Sequence, residues 1–277
     1  MKVKELLACG VDELNKFEIE DSVLKVRILL AYCIGQSKEF LVSHDDFEVD
    51  DQDKSDFFDG LMKLRDNVPI QYITNQQEFM KMSFYVDENV LIPRDDTEVL
   101  VNETLELCKV EDNVLDLCTG SGAIGISIKK YRDDCDVWLL DISEEALDIA
   151  RKNAISNNCD VSFIKSDLFE NVMKTDFDII VSNPPYISKV EMDELDDQVK
   201  KEPNIALYGG EDGLDFYKRI ASNAKDYLKK DGYLCLEIGY TQKFDVIRIL
   251  EENGYKDIVC KKDLYGNDRV IIAKKED

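Results

Sequence analysis

From Asn113 onward the chain alternates short apolar runs of strand length with segments of helical period. The strand-like runs are NVLDL, DVWLLD, VSFIKS, FDIIVS, YLCLEIG, KDIVCKKD and RVIIAKK, and the helical segments include SEEALDIARKNAISN, GLDFYKRIASNAKDYLKK and QKFDVIRILEEN. Strands that alternate with helices form βαβ units, which build a mainly parallel sheet covered on both faces. An antiparallel hairpin at one edge is predicted by the turn-prone LYGND. The sequence therefore predicts an α/β fold.

The first 72 residues lack this alternation and are predicted to be helical. Two segments, LKVRILLAYCIG and FFDGLMKLRDNVP, repeat apolar residues every three or four positions. These residues are Leu24, Ile28, Leu29, Ala31 and Tyr32 in the first segment, and Phe57, Phe58, Leu61 and Leu64 in the second. Asp21 or Ser22 can cap the first helix, and Gly35 can end it. We expect residues 1–72 to form a small helical domain.

The period of the sequence changes after Pro69. The segment QYITNQQEFMKMSFYVDENVLIP has β-branched and aromatic residues in short runs and a polar turn at residues 87–89, which predicts a strand pair. After Pro93, DDTEVLVNETLELCK predicts a helix, with Asp95 or Asp96 near its positively polarised start. We expect residues 73–92 to form a β-hairpin linker and residues 93–277 to form the α/β domain.

The charge of the chain restricts its partners. It has 35 basic and 59 acidic residues and a formal net charge of −24, whereas proteins that grip nucleic acid usually have a basic surface. We therefore expect no direct DNA binding. No apolar run approaches the roughly 20 residues that a membrane-spanning helix needs, and acids interrupt the amino-terminal segment. We expect a cytoplasmic protein with no membrane partner.

The eight cysteines are scattered singly, with no C-x-x-C pair and with His44 as the one histidine. Zinc sites are usually built from grouped Cys and His residues. The spacing therefore favours reduced thiols, and we expect no bound metal.

A glycine loop lies in VLDLCTGSGAIGISI, where Gly120, Gly122 and Gly125 fit the spacing G-x-G-x-x-G. Glycines let a ligand approach the backbone closely, and the amides of the helix start face that ligand. Asp141, at the end of the next strand, is suited to accept hydrogen bonds from ribose hydroxyls. These features predict a nucleoside-containing cofactor, although an NAD enzyme would have the same loop and acid.

A second acid follows the third strand-like run, in IKSDLF. Asp167 is suited to hold an adenine amino group, with Leu168 against the ring, and it is equally suited to cap a helix. The residues alone leave both interpretations open.

The segment VSNPPYIS follows the fourth strand-like run, and Asn-Pro-Pro-Tyr can neither continue a strand nor begin a helix. Ligands of open α/β sheets lie beyond the carboxyl ends of the strands, so we expect Asn183 beside the glycine loop. Two prolines remove two donors and leave nearby carbonyls as acceptors, Asn183 adds a side-chain carbonyl, and Tyr186 adds a flat apolar face. Together they suit a planar NH2 group.

An amide or ring amino nitrogen is a poor nucleophile because its lone pair is delocalised. Two carbonyl acceptors on its hydrogens favour a pyramidal nitrogen, and we expect Asn183 and the Pro184 carbonyl to supply them. Positioning and electrostatics of this kind can support methyl transfer without a strong base.

Several segments together resemble the release factor glutamine methyltransferases, also called HemK or PrmC, which use S-adenosylmethionine. The matching segments are VLIPRDDTE, the glycine loop, NPPY, EPNIALYGGEDGLDFYKRI and LEIGYTQ. The resemblance covers nearly the whole chain. It implies a seven-stranded Rossmann-like methyltransferase domain, a small helical amino-terminal domain that recognises the protein substrate, and a β-hairpin between them.

The resemblance also implies an activity and a site. The activity is methylation of the side-chain amide nitrogen (N5) of the glutamine in the Gly-Gly-Gln motif of class I peptide chain release factors, with S-adenosyl-L-homocysteine as product and a role in translation termination. The catalytic residues would be Asn183, Pro184, Pro185 and Tyr186. The cofactor would contact Cys118, Thr119, Gly120, Ser121, Gly122, Asp141, Asp167, Leu168 and Asn183. We expect a monomer whose partner is the release factor, and a supporting role for Arg94, Thr97 and Glu98.

Two positions depart from the family pattern. The family usually has Gly where this chain has Cys118, and it usually has Pro where this chain has Asp95. The first departure restricts the backbone of the loop and brings a thiol near the sulfonium. We expect cofactor binding to persist because Thr-Gly-Ser-Gly is intact, and we expect Asp95 to affect catalysis little.

Other functions fit part of the pattern. DNA adenine methyltransferases share the NPPY chemistry but must flip a base and hold the duplex, which the acidic composition disfavours. The same acidic composition disfavours RNA guanine methyltransferases. A closer alternative is the related enzyme that methylates a glutamine of a ribosomal protein; DDTE and GGEDGLDFY favour release factors instead. A cofactor-binding regulator or an NAD-dependent oxidoreductase would leave NPPY without a task.

Overall fold

The computed structural model describes residues 1–276, which divide into two compact units. The first unit comprises Met1–Gln76 together with Asp196–Lys201, and the second comprises Gln77–Leu195 together with Glu202 onward. The helical amino-terminal part and the α/β part expected from the sequence are both present. Among residues 1–276 no helix is long and apolar enough to cross a membrane.

The first unit consists of helices packed around one apolar core. The helices are α1 (Val3–Lys16), α2 (Ser22–Cys33), α3 (Lys38–Ser43), α4 (Asp51–Arg65) and α5 (Ile70–Thr74). Its largest fully buried side chains include Phe57, Leu6, Leu14, Leu29 and Leu30. Helix α2 follows Asp21 and is ended near Gly35, whose φ of 62° is left-handed.

The apolar periodicity of α2 predicted a helix correctly but mixed two of its faces. Leu29 and Ala31 are buried, as the periodicity predicts for a core face, whereas Leu24 and Tyr32 are about half exposed. The core face runs instead through Val26, Leu29 and Leu30, which lie three and four positions apart. Because α2 is apolar almost all round, periodicity alone does not choose between its faces.

The second unit begins with the hairpin of β1 (Gln77–Phe79) and β2 (Met82–Phe84). The sequence predicted a strand pair here and a polar turn at residues 87–89, and both are present. The turn at residues 87–89, where the Val90 amide donates to the Asp87 carbonyl over 3.2 Å, follows the hairpin and does not join its two strands. Met80 and Lys81 make the hairpin turn, with φ angles of 49° and 58°. Tertiary hydrogen bonds fix it: the Met80 amide donates to Glu98 Oε1 over 2.6 Å, and the Tyr131 hydroxyl donates to the Met80 carbonyl over 2.9 Å.

Seven strands form the central sheet in the order β5-β4-β3-β6-β7-β9-β8. They are β3 (Asn113–Leu117), β4 (Asp136–Asp141), β5 (Ser162–Lys165), β6 (Phe177–Ser182), β7 (Leu228–Glu237), β8 (Tyr255–Lys262) and β9 (Asp268–Lys275). The first five strands in this order are parallel, and β9 is antiparallel to both β7 and β8. The predicted parallel sheet and its antiparallel edge hairpin are confirmed.

Helices cover both faces of the sheet. They are α6 (Thr97–Leu107), α7 (Ala123–Tyr131), α8 (Glu144–Ser156), α9 (Lys189–Glu194), α10 (Asn204–Leu207), α11 (Asp215–Tyr227) and α12 (Lys243–Glu252). One apolar core joins α11 and α12 to the sheet, and a second joins α6, α7 and α8 to its other face. The direction of chain winding reverses at β3, which lies between β4 and β6. Ligand sites of open α/β sheets lie at such a switch point, beyond the carboxyl ends of the strands.

Candidate active site

A cavity of about 230 Å³ opens beyond the carboxyl ends of β3, β4 and β6. It is lined by nine of the residues proposed from the sequence: Cys118, Thr119, Gly120, Ser121, Asp141, Asp167, Leu168, Asn183 and Pro185. Three further proposed residues, Gly122, Pro184 and Tyr186, are not part of this lining. The glycine loop and the NPPY segment therefore border one cavity, as their places in the chain predicted.

The glycine loop turns sharply between β3 and α7. Cys118, Gly120 and Gly122 all have left-handed φ angles, of 62°, 53° and 82°. A Cβ atom added to Gly120 would meet no other atom within 4 Å, so this glycine leaves open space for a ligand. Gly122 instead packs against α8 and β4, where an added Cβ would lie 3.1 Å from Ala150 Cβ. Its role is close packing, which explains its absence from the cavity wall.

The left-handed backbone at Cys118 lowers stability by an amount that a glycine at this position would avoid. A non-glycine residue in the left-handed region is disfavoured by about 1 kcal/mol, which gives a physical reason for the glycine that the family pattern has here. Burial raises the pKa of the Cys118 thiol well above its ordinary value. The thiol therefore stays protonated and is a weak nucleophile toward an electrophilic methyl group.

Asp141 ties the end of β4 to the glycine loop. Its Oδ2 accepts from the Gly120 amide over 2.8 Å, and its Oδ1 accepts from the Ser143 amide over 3.0 Å. Burial raises the pKa of this carboxyl, and the two backbone donors oppose that effect. Each oxygen keeps a further acceptor position, so the carboxylate can hold the loop and still accept from ribose hydroxyls.

A second carboxyl, that of Asp116, lies beneath the loop and was not predicted as a site residue. Asp116 is fully buried in β3, and its Oδ2 accepts from Thr119 Oγ1 over 2.5 Å and from the Gly125 amide over 2.8 Å. Its Oδ1 has no hydrogen-bond partner among the described residues. Burial raises the pKa of Asp116 to about 7. The acid inside the apolar run VLDL is the sequence signal that could have identified it.

Asp167 and Leu168 line the far end of the cavity from a turn after β5. Leu168 is buried and has a φ of 48°. The Asp167 carboxylate accepts from the Arg219 guanidinium, with 2.8 Å between Oδ1 and the nitrogen. Arg219 and Phe216 of α11 also line the cavity. Sequence reasoning missed these two residues because the helical period of α11 accounts for them without a site.

Asn183 follows β6 directly and is half-buried at the cavity. Its side-chain nitrogen donates to Thr97 Oγ1 over 3.4 Å. No residue of the described part of the chain donates to the Pro184 carbonyl. The oxygen of Pro184 is thus free to accept, as the removal of neighbouring donors by the prolines predicted.

The loop GGEDG holds the NPPY backbone from behind. A Cβ atom on Gly209 would lie 2.7 Å from the Pro185 carbonyl oxygen, so only glycine permits this approach. Gln242 Nε2 donates to the Tyr186 carbonyl over 2.9 Å and to the Gly213 carbonyl over 3.2 Å. Tyr186 packs against the core of the sheet. It therefore anchors the segment rather than lining the cavity.

Ion pairs fix the segment that precedes α6. Arg94 pairs with Glu202, whose side chain is buried and also accepts from the Ile92 amide over 3.3 Å. Asp96 Oδ2 pairs with Arg269 over 3.0 Å. These contacts explain why VLIPRDDTE and EPNIAL belong to one pattern although about a hundred residues separate them in the chain.

The cavity has the features that S-adenosylmethionine needs. Gly120 leaves room for close approach, Asp141 offers carboxylate oxygens for the ribose, and Ile142 and Leu168 supply apolar surface for the adenine. Asn183 lines the same cavity. The residues present fit this cofactor. Within residues 1–276 no group of acidic, Cys or His side chains could hold a metal ion, and the cysteines are free thiols.

Comparison with known proteins identifies the family of the chain. Residues 95–199 match the family model described as Methyltransferase small domain, and residues 5–74 match the PrmC N-terminal domain. The release factor glutamine methyltransferase of Clostridium acetobutylicum is 41% identical over 99% of this chain and 98% of its own length. That of Clostridium botulinum is 39% identical over 99% of this chain and its full length.

Solved structures share the fold at lower identity. A methyltransferase from Pyrococcus furiosus superimposes with a TM-score of 0.55 at 20% identity, over 70% of this chain and 89% of that one. The 16S rRNA N2 G1207 methyltransferase of Thermus thermophilus was solved in complex with AdoMet and guanosine. It superimposes with a TM-score of 0.54 at 19% identity, over 73% of this chain and 50% of that one. The Rossmann-like methyltransferase fold is thereby confirmed. The chain belongs to the release factor glutamine methyltransferase family and is an enzyme that uses S-adenosylmethionine.

Proposed function

We propose that the protein methylates the side-chain amide nitrogen (N5) of the glutamine in the Gly-Gly-Gln motif of class I peptide chain release factors, and so supports translation termination. The observation that supports this proposal is that the Asn183 side chain lines a nucleoside-sized cavity and is followed in the chain by a Pro184 carbonyl that accepts from no donor among the described residues. Two oxygen acceptors in that arrangement suit the two hydrogens of a carboxamide.

The residues of the chain act mainly by binding the substrate amide and the cofactor and by orienting them toward each other. Asn183 Oδ1 and the Pro184 carbonyl accept from the substrate NH2 group, which reduces delocalisation of its lone pair. S-Adenosylmethionine, when bound, supplies an electrophilic methyl group on a positively charged sulfur. Proton loss follows attack, so no strong base is required. Positioning and preorganised dipoles together can provide several kcal/mol of such a barrier.

We further propose distinct roles for the residues that border the cavity. Residues 118–122 hold the methionine and ribose part of the cofactor, Asp141 accepts from the ribose, and Leu168 borders the adenine. Asp167 is shared between Arg219 and the adenine amino group, because one of its oxygens already accepts from the guanidinium. Pro185 lines the acceptor site, while Tyr186 anchors the segment from the core.

Different parts of the chain are proposed to have different tasks. We propose residues 1–72 as the domain that recognises the protein substrate, residues 73–92 as the linker and residues 93–277 as the methyltransferase domain. The partner is the release factor, and the strongly acidic composition argues against direct binding to DNA. We propose that the enzyme acts as a monomer.

The substrate is tested by supplying candidate acceptors separately. The enzyme is incubated with a labelled methyl donor and with intact release factor, a ribosomal protein substrate of the related enzyme, or duplex DNA, and mass spectrometry locates the label. The expected result is label on the glutamine of Gly-Gly-Gln and none when that glutamine is replaced by alanine. Label on ribosomal protein or DNA with an unmodified release factor would refute the proposal.

A further inference from the structure

Two buried polar side chains lie beside Asn183 and have no part in the chemistry described so far. Thr97 is the first residue of α6 and is 4% exposed, and Glu237 is the last residue of β7 and is 1% exposed. Ser182 of β6 pairs with Leu236 of β7 in parallel register. Asn183 and Glu237 are the residues that come directly after this pair, so they lie next to each other at the carboxyl edge of the sheet.

The hydrogen bonds around Asn183 run in one direction. Asn183 Nδ2 donates to Thr97 Oγ1 over 3.4 Å, which leaves the Thr97 hydroxyl hydrogen to donate elsewhere. The side chains of Thr97 and Asn183 both act as hydrogen-bonding neighbours of the Glu237 carboxyl and lower its pKa. The Glu237 carboxyl offers oxygens that can accept hydrogen bonds from either side chain.

This direction fixes the orientation of the Asn183 amide. An amide has a nitrogen that donates and an oxygen that accepts, and the two ends are distinguished by their partners. With its nitrogen donating to Thr97 Oγ1, Asn183 keeps its oxygen, which accepts from no donor among the described residues, for a group bound in the cavity that Asn183 lines. An Asn183 side chain rotated by half a turn would present two donors to the substrate NH2 group, which cannot accept them.

Charged groups from two other parts of the chain act on Glu237. Arg269 of β9 favours the ionised carboxylate, whereas Asp96 before α6 disfavours it. Arg269 is itself paired with Asp96 and Asp263, over 3.0 and 3.1 Å. One Glu237 oxygen, Oε2, has no donor among residues 1–276. A buried acceptor without a donor lowers the stability of the folded state. Such a group is typically retained for a purpose other than stability.

We propose that Thr97 is a positioning residue that holds the Asn183 amide with its oxygen toward the substrate nitrogen. The inference rests on the proposed function of Asn183 as an acceptor for the glutamine NH2 group. It assigns a role to DDTE, a segment that helps to identify the family without touching the reacting atoms.

The test uses the full-length enzyme, release factor and a radiolabelled methyl donor under single-turnover conditions, where very slow reactions are measurable. The variants are Thr97→Val, which removes the hydroxyl at constant shape, and Thr97→Ser, which keeps it. Thr104→Val is the matched control, because Thr104 is a buried residue of the same helix whose hydroxyl donates to the Leu100 carbonyl over 2.8 Å. Each is also made in an Asn183→Ala background.

We expect Thr97→Val to lower the transfer rate about tenfold or more, with Thr97→Ser and Thr104→Val within about threefold of the wild type. Cofactor affinity measured by calorimetry should change less than about twofold. In the Asn183→Ala background, Thr97→Val should have almost no further effect, because the residue acts through Asn183.

Two results would overturn the inference while leaving the proposed function intact. One is a normal rate for Thr97→Val beside a strongly reduced rate for Asn183→Ala. The other is an equal loss from Thr97→Val in both backgrounds, which would mean that Thr97 acts independently of Asn183. A normal rate for Asn183→Ala alone would instead refute the role proposed for Asn183, and this positioning role with it.

Discussion

Asp141 on β4 accepts a hydrogen bond from the Gly120 amide in the glycine loop, with 2.8 Å between Oδ2 and the nitrogen. One side chain thus fixes the loop that must receive the cofactor and offers acceptors to the ribose. This dual contact makes Asp141 the residue on which cofactor binding should depend most strongly.

Asp141→Ala is expected to weaken binding of S-adenosylhomocysteine at least tenfold, because it removes the ribose acceptor and releases the Gly120 amide. A loss of this size is about 1.4 kcal/mol, the scale of a hydrogen bond to a charged group. Calorimetry measures the affinity directly. Asp148→Ala, an exposed substitution on α8, is the control. Equal affinities for Asp141→Ala and the control would contradict this role.

Gly209→Ala is expected to lower both stability and turnover. The added Cβ would lie 2.7 Å from the Pro185 carbonyl oxygen and would push the NPPY backbone. Overpacking of this kind costs about 1 to 3 kcal/mol, which denaturant unfolding measures. Gly35→Ala is a useful comparison, since Gly35 has a left-handed φ but no atom near its Cβ position. It should lose stability without loss of turnover; a normal rate for Gly209→Ala would contradict the prediction.

The buried Glu237 carboxyl is expected to make the free energy of unfolding depend on pH. Burial raises its pKa to about 7, above the ordinary value near 4.3 of an unfolded chain. The folded state then binds the proton more tightly, so the stabilising effect is fully present below about pH 4 and is lost as the pH rises to 7. The difference is on the order of 3 to 4 kcal/mol of unfolding free energy. The positive charge of Arg269 lowers the pKa of Glu237, and the negative charge of Asp96 raises it.

Glu237→Gln should remove this contribution, so the free energy of unfolding should fall less between pH 4 and pH 8 than in the wild type. Glu252→Gln, an exposed substitution at the end of α12, should leave the wild-type profile unchanged. Denaturant unfolding at several pH values provides the measurement. Parallel pH profiles for wild type and Glu237→Gln would show that the buried carboxyl does not titrate as expected.

Removal of residues 1–72 should impair methylation of intact release factor, because these residues are proposed to recognise the protein substrate. Cofactor affinity of the remaining chain should persist, since every residue that lines the cavity lies after residue 88. Calorimetry confirms that the shortened chain is folded before its activity is compared. Full activity on intact release factor would rule out a recognition role for the helical domain.

Sequence reasoning located the main parts of the site because they depend on local chemistry and on strand order. The apolar runs after Asn113 could only be satisfied as buried strands, and the ends of parallel strands meet at one edge. Strand order alone therefore predicts that Gly120, Asp141 and Asn183 lie together, and the resemblance to a family implies the cofactor and the substrate.

The features that escaped prediction depend on tertiary contacts. The hairpin turn at Met80 and Lys81 contains no glycine or asparagine, and its left-handed backbone is held by Glu98 and Tyr131, which are distant in sequence. A carboxyl within an apolar strand normally indicates a solvent-facing position. Asp116 and Glu237 are buried instead, because neighbours from other elements supply hydrogen bonds or charge.

The central claim is that Asn183 and the Pro184 carbonyl hold the substrate amide for methyl transfer. Its most direct test compares wild-type enzyme with Asn183→Ala in transfer of labelled methyl to intact release factor, with cofactor affinity measured in parallel. We expect Asn183→Ala to lower the rate about a hundredfold or more and to change the cofactor affinity less than about threefold. A rate near that of the wild type, or a loss explained entirely by weaker cofactor binding, would contradict it.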